Sequence, residues 1–259
     1  MNLITWNISP HIIAGTTTRS GGVSSFPFDT LNFSFYVGDM NSDVLENRHR
    51  LANHIKQPLE RWIFPKITHS DHFVKVSTQD QGKGAFVEKG SLWGVDALYT
   101  DCENLPLAIF HADCVPILCY CPSRKLIGAI HAGWLGTTKA ITYKMLSHWI
   151  LNENCPANDI YVYIGPAISQ ENMNIRDDVI KKIKAMDFDT QPYLEYTSPT
   201  TAKLDSVGLN VQQCLLCNIP IENIRVLNEC TYELTDKYYS YRRSPKTGRN
   251  ISFIVRNPD

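Results

Sequence analysis

The feature that most constrains the fold is a hairpin near the middle of the chain with reactive side chains at its open end. Residues 115–121 are largely apolar, Pro122-Ser123-Arg124-Lys125 has turn chemistry, and residues 126–130 are apolar again. That is the pattern of two antiparallel strands joined by a four-residue loop. With the turn at 122–125, Cys121 faces Leu126 and Pro116 faces His131. Strand side chains alternate with a period of two, so Cys114 shares a face with His131. Diagonal cross-strand neighbours are close enough for long side chains to meet. A thiolate and an imidazole therefore converge. The pair is either half of a metal site or a Cys–His couple for nucleophilic chemistry.

Net charge is −1 over 259 residues, which gives no broad electrostatic case for nucleic acid or a membrane surface. The start, Met1-Asn2-Leu3-Ile4-Thr5-Trp6, has no basic segment followed by an apolar one, so no secretory signal is visible. No apolar run reaches the length of a membrane span. A cytoplasmic location is expected, with the eight cysteines reduced. Cys214 and Cys217 form a lone C-x-x-C, which reads as core thiols because a structural zinc site needs four ligands.

Hairpins mixed with helices predict an α+β (mixed α/β) fold, a single domain over 1–259 with mixed sheets flanked by helices. A doubly wound parallel sheet would need a crossover helix between successive strands. Strand-like pieces surround the Gly-rich turn at 16–24. Ser42 is expected to cap a helix with Leu45, Ala52 and Ile55 on one stripe. Strands are predicted at 61–68 and 72–77, a loop at 78–94, then strands at 105–111, 115–121 and 126–131. Gly136-Thr137-Thr138 should open a helix burying Ile141, Met145, Trp149 and Ile150. A strand at 160–164, helices near 176–186 and 205–217, and strands at 237–243 and 249–256 complete the reading.

A catalytic zinc takes three protein ligands and keeps one position open. Cys114 and His131 supply two. On spacing alone the third is His69, at a strand-to-turn junction, or His111, three residues before the cysteine. His72, in a polar turn, reads as solvated. Asp113 reads as a turn-forming carboxylate. The segment from Gly133 into the following helix offers free amides and a positive dipole end, a natural anion site at 135–138. Trp134 reads as a packing side chain or as the floor of a pocket for a planar base. Forked guanidinium groups suit phosphate, and the candidates are Arg19, Arg48, Arg242, Arg243 and Arg249.

These residues resemble the laccase-domain, or multicopper-polyphenol-oxidase-like, family, understood as purine nucleoside phosphorylases of the YfiH/YlmD type. The resemblance runs through Thr17-Thr18-Arg19-Ser20-Gly21-Gly22-Val23-Ser24, Leu31-Asn32, Glu46-Asn47-Arg48, Thr68-His69-Ser70, Asp96-Ala97, Ala112-Asp113-Cys114-Val115-Pro116, His131-Ala132-Gly133-Trp134, Ile164-Gly165-Pro166, Cys230-Thr231 and Tyr241-Arg242-Arg243 with Thr247-Gly248-Arg249. It implies a YfiH-like fold, distantly like a bacterial toxin deamidase. It implies a metal, usually zinc with copper as the alternative ion, on His69, Cys114 and His131, which are also the implied catalytic residues. The implied substrates are purine nucleosides and phosphate: phosphorolysis of adenosine, inosine, guanosine and methylthioadenosine, plus adenosine deamination. Arg19, Arg48, Trp134, Gly136 and Arg242 are the expected substrate and phosphate contacts. The expected state is a monomer or small homo-oligomer. Two positions depart from the family pattern: Ile67 stands where Gln is common, and Leu135 where Arg or Lys is usual. The alternatives are a metal-independent cysteine hydrolase built on Cys114 and His131, a copper polyphenol oxidase, and a non-enzymatic metal-holding scaffold.

Overall fold

The computed structural model describes residues 1–258. In chain order the elements are β1 (Leu3–Thr5), β2 (Ile12–Thr17), α1 (Asn41–His54), β3 (Phe73–Lys75), β4 (Ala97–Thr100), β5 (Leu107–His111), β6 (Val115–Cys121), β7 (Leu126–Ala132), α2 (Trp134–Thr138), α3 (Ile141–Leu151), β8 (Tyr161–Ile164), β9 (Asn174–Arg176), α4 (Asp177–Lys184), β10 (Leu194–Ser198), β11 (Thr201–Leu204), α5 (Ser206–Leu216), β12 (Ile224–Val226) and β13 (Asn250–Arg256). A six-stranded sheet runs β12-β8-β6-β7-β4-β3, a four-stranded sheet β1-β2-β13-β5 and a small sheet β10-β11-β9. Pairs β12–β8 and β3–β4 are parallel and the others in these sheets antiparallel. The fold is mixed α/β, as the alternation of hairpins and helices predicts.

Strand alternation sets the layers. On the six-stranded sheet Val115, Ile117, Cys119, Leu126 and Ile130 face Met145 and Trp149 of α3 and Cys214 of α5. The other face, with Leu118, Ile127 and Ala129, packs on Ile12, Leu107, Ile109 and Ile254 of the four-stranded sheet. The far side of that sheet, with Ala108, Phe110, Ile251 and Phe253, packs on Leu51 and Ala52 of α1. The order is helix, sheet, sheet, helix. Gly128 lets α3 approach, because a Cβ there would lie 2.8 Å from Trp149 and 2.9 Å from Met145. Burying such large side chains stabilises the layers by about 1.5–3 kcal/mol each.

Several expectations are corrected. Residues 61–68 make only isolated bridges, Ile63 to Leu107 and Lys66 to Trp93, because Pro65 has no N–H for a continuous ladder. Residues 237–243 form no strand but turns joined by irregular backbone at 238–240. The hairpin β10–β11 and the strand β4 lie where no strand was expected. Helix α1 starts after Met40 without a side-chain cap, and the Ser42 hydroxyl bonds Asp43 instead. The helix expected from 136 is two helices, separated at Ala140, whose φ is +59°. All eight cysteines are free thiols, and Cys214 and Cys217 are buried core residues. Among the described residues no helix is long and apolar enough to cross a membrane.

Candidate metal centre and its cavity

The site lies where the chain crosses between the two large sheets. Strand β5 ends at His111 and β6 begins at Val115, so Ala112, Asp113 and Cys114 make the crossing. Asp113 adopts a φ of +93° and braces this step. Its Oδ1 accepts from Thr231 Oγ1 at 2.7 Å, its Oδ2 from the Arg242 amide at 2.6 Å, and its carbonyl from the Ile168 amide at 3.0 Å. That is the turn role expected of it.

The hairpin register is the predicted one, with Pro116 opposite His131 and Cys121 opposite Leu126. His131 is buried, and its Nδ1 lies 2.9 Å from Asp96 Oδ1. Asp96 directly precedes β4, the neighbour of β7. The same carboxylate accepts from the amides of Thr68 (3.1 Å), His69 (2.9 Å) and Ser70 (2.8 Å), and from the Ser70 hydroxyl (2.8 Å). One buried side chain thus fixes the His131 ring and the turn that carries His69. His69 itself has a φ of +59°, a conformation that side chains other than Gly, Asn or Asp seldom adopt and that surrounding contacts must hold.

His69, Cys114 and His131 each offer a ligand atom within 4.8 Å of the others, and together they could hold a metal ion. The two rings meet edge to face, 5.1 Å between centroids. With Nδ1–H donated to Asp96, His131 presents Nε2 to the centre, the carboxylate–histidine arrangement that orients metal ligands. One sulfur and two imidazole nitrogens suit a borderline-soft ion and leave a fourth position open. Charge distribution agrees. Burial opposes ionisation of the Cys114 thiol, yet His131 and His69 pull it down to about 6. Burial likewise opposes the His131 imidazolium, but Cys114 and Asp96 raise it to about 9. Burial works against the Asp96 carboxylate, and His131 with the loop amides still brings it down to about 2.

Gly133 abuts this centre. A Cβ there would lie 2.7 Å from His69 Cδ2 and 3.2 Å from Cys114 Sγ. Its φ of −68° suits alanine, so Gly133→Ala perturbs ligand positions rather than the backbone. We expect metal affinity to fall about 10- to 100-fold, as when ligand orientation is disturbed from outside. Asp96→Asn should cost a similar factor of about 10–100. Titration against a competing chelator reads both, and unchanged affinity in either variant would contradict the assigned geometry.

A cavity of about 480 Å³ opens on the centre, with Trp134, Ile168, Met173, Tyr241, Arg242 and Arg249 among its walls. His111 and Ser206 also line it, and His111 Nδ1 and Ser206 Oγ have no hydrogen-bond partner. Burial and the nearby His131 push His111 down to about 3, so its ring is neutral. Its Nε2 lies 3.1 Å from Ser252 Oγ inside the four-stranded sheet.

Of the expected substrate contacts, Trp134 and Arg242 line the cavity; Arg19, Arg48 and Gly136 do not. All three nitrogens of the Arg19 guanidinium are committed, Nε and Nη2 to Asp29 and Nη1 to the Thr235 carbonyl. Arg48 is buried and donates to the carbonyls of Phe33, Gly84 and Ala85. Gly136 packs against the Ser70 carbonyl, 3.0 Å from its would-be Cβ. The helix behind the expected anion site has only five residues, and the Thr137 amide already donates to Gly133. His72 is exposed and stands outside the cavity wall. The sequence names Asp96 and Tyr241 only within motifs of the resemblance, with no role attached, and does not point to Ser206. For Asp96 the signal was a β4–β7 pairing that spacing alone does not reveal.

The sequence pattern of the family described as "Multi-copper polyphenol oxidoreductase laccase" matches residues 13–257. The chain is 37% identical over 244 residues to purine nucleoside phosphorylase YlmD of Bacillus subtilis, covering 94% of this chain and 88% of that protein. It is 39% identical over 250 residues to its namesake from Geobacillus stearothermophilus, covering 95% and 91%. The crystal structure of Bacillus licheniformis hypothetical protein YfiH superposes with a TM-score of 0.97 at 35% identity, covering 98% of this chain and 96% of that one.

Proposed function

The chain belongs to the multi-copper polyphenol oxidoreductase laccase family, and from that premise we propose that it is a purine nucleoside phosphorylase. Its substrates are adenosine, inosine, guanosine and S-methyl-5′-thioadenosine, and it also deaminates adenosine. The reading is supported by one observation above all. The three candidate ligands open onto a cavity that carries arginines and an indole, and relatives covering most of the chain are named for this activity.

In phosphorolysis an oxygen of hydrogen phosphate attacks C1′ as the C1′–N9 bond breaks. The base leaves with the electron pair and takes the phosphate proton, giving ribose 1-phosphate and free purine. Trp134, Ile168 and Met173 give the base an apolar surface and exclude water. Arg242 offers positive charge to the anion. His69, Cys114 and His131 hold zinc, with copper as the alternative ion. When bound, that ion supplies Lewis-acid polarisation. Asp96 keeps the His131 proton on Nδ1, so the ring serves as a ligand rather than as a base.

The test is adenosine incubated with and without phosphate, before and after chelation. We expect adenine and ribose 1-phosphate with phosphate, inosine without it, and loss of both on chelation with recovery on adding zinc. A metal-replete protein that releases none of these would overturn the reading. One observation favours a second reading. The depressed Cys114 and raised His131 pKa values describe a thiolate–imidazolium couple, the activated state of a cysteine nucleophile. If chelated protein stays active and alkylation of Cys114 stops it, the cysteine hydrolase stands instead. Polyphenol oxidation is less favoured. Among the described residues only one group of three such ligands gathers, which leaves no second centre to share the electrons.

A further inference from the structure

We propose that the half-buried Arg249, together with the exposed Arg242 of the same cavity wall, forms the subsite that holds inorganic phosphate. This rests on the phosphorylase reading and replaces the anion site expected at 135–138 and Arg19. Three observations carry it. First, both arginines line the cavity that opens on Cys114 and His131. The other three arginines considered for phosphate, Arg19, Arg48 and Arg243, are committed to carbonyls and, for Arg19, a carboxylate elsewhere in the protein.

Second, Arg249 is aimed by its own turn. Its Nη1 donates to the carbonyls of Thr247 and Gly248 at 2.8 and 2.9 Å, and its amide donates to Asn32 Oδ1 at 2.9 Å. Among the described residues its Nε and Nη2 have no hydrogen-bond partner. Two adjacent N–H groups of a fixed guanidinium match two oxygens of a phosphate. Arg242 is exposed; its Nη1 donates to the Asn172 carbonyl at 3.0 Å and its Nη2 lies 3.5 Å from Met173 Sδ, while its Nε has no hydrogen-bond partner among the described residues. Its own backbone is tied to Asp113.

Third, no carboxylate in the wall competes for these cations. Asp113 is the one acid there among the described residues, and both its oxygens are already bonded to Thr231 and to the Arg242 amide. An anion entering the cavity therefore meets a half-buried guanidinium that no carboxylate pairs among the described residues, and charge-assisted hydrogen bonds can form there.

The experiment measures inosine phosphorolysis against phosphate concentration for wild type, R249M, R249K and R19M, with metal content and melting temperature recorded for each. We expect R249M to raise the KM for phosphate about 10- to 100-fold, with metal content held. R249K should recover part of the loss, and R19M should leave the phosphate KM unchanged. As a second readout, inorganic phosphate should raise the melting temperature of wild type and R249K but not of R249M. An unchanged phosphate KM in R249M, or equal stabilisation of R249M and wild type by phosphate, would overturn the subsite. If wild type lacks phosphorolysis yet phosphate still stabilises it through Arg249, the phosphorylase reading fails and the subsite stands.

Discussion

Cys114→Ala protein is expected to fold, to hold no stoichiometric metal and to release no purine from any nucleoside. Cys114 is the one sulfur among three candidate ligands, and two imidazoles alone make a weak site, one of them exposed. Losing a ligand should cost more than the about 10–100-fold that outer partners cost. The fold should survive, because Asp113 and the hairpin register brace this corner without the thiol. Elemental analysis, product chromatography and thermal melting read the three parts separately. Full metal content with normal turnover in Cys114→Ala would remove the cysteine from the centre.

Arg48→Met is expected to weaken the fold and leave phosphate affinity alone. The side chain stands between the rings of Phe35 and Phe64, 4.2 and 4.1 Å from their centroids. Burial lowers its pKa to about 9, so it remains charged at neutral pH. Methionine would keep much of the apolar stem but strand the carbonyls of Phe33, Gly84 and Ala85. Unsatisfied buried acceptors cost about 1–3 kcal/mol each, so a loss of about 3 kcal/mol or more is expected in urea unfolding. A variant of unchanged stability with a raised phosphate KM would return Arg48 to the binding site.

These two side chains mark what could be read in the sequence. Cys114 and His131 were legible because one turn and a period of two fix their meeting, and both are local properties. Arg48 was misjudged although the signal existed. It lies among Val44, Leu51 and Ala52 on the buried stripe of α1, and an arginine on such a stripe is there to be paired inside. The choice between His69 and His111 was open on spacing. It turns on Asp96, which reaches the 68–70 turn and His131 only because β4 pairs with β7 across about thirty residues. His111 instead turns its Nε2 into the sheet toward Ser252. Proline at 65 explains the strand misplaced at 61–68, but β4 was missed for a different reason. Continuity of a ladder depends on the partner strand, and a window along one segment cannot see that partner.

The most direct test of the central claim follows phosphorus rather than the base. Metal-replete protein, inosine and inorganic phosphate are monitored by phosphorus NMR alongside chromatography of hypoxanthine. Phosphorolysis predicts a sugar phosphate signal growing in equal amount with hypoxanthine as free phosphate declines, and neither change once the metal is stripped. Hypoxanthine accompanied by free ribose, with the phosphate signal unaltered, would contradict the account.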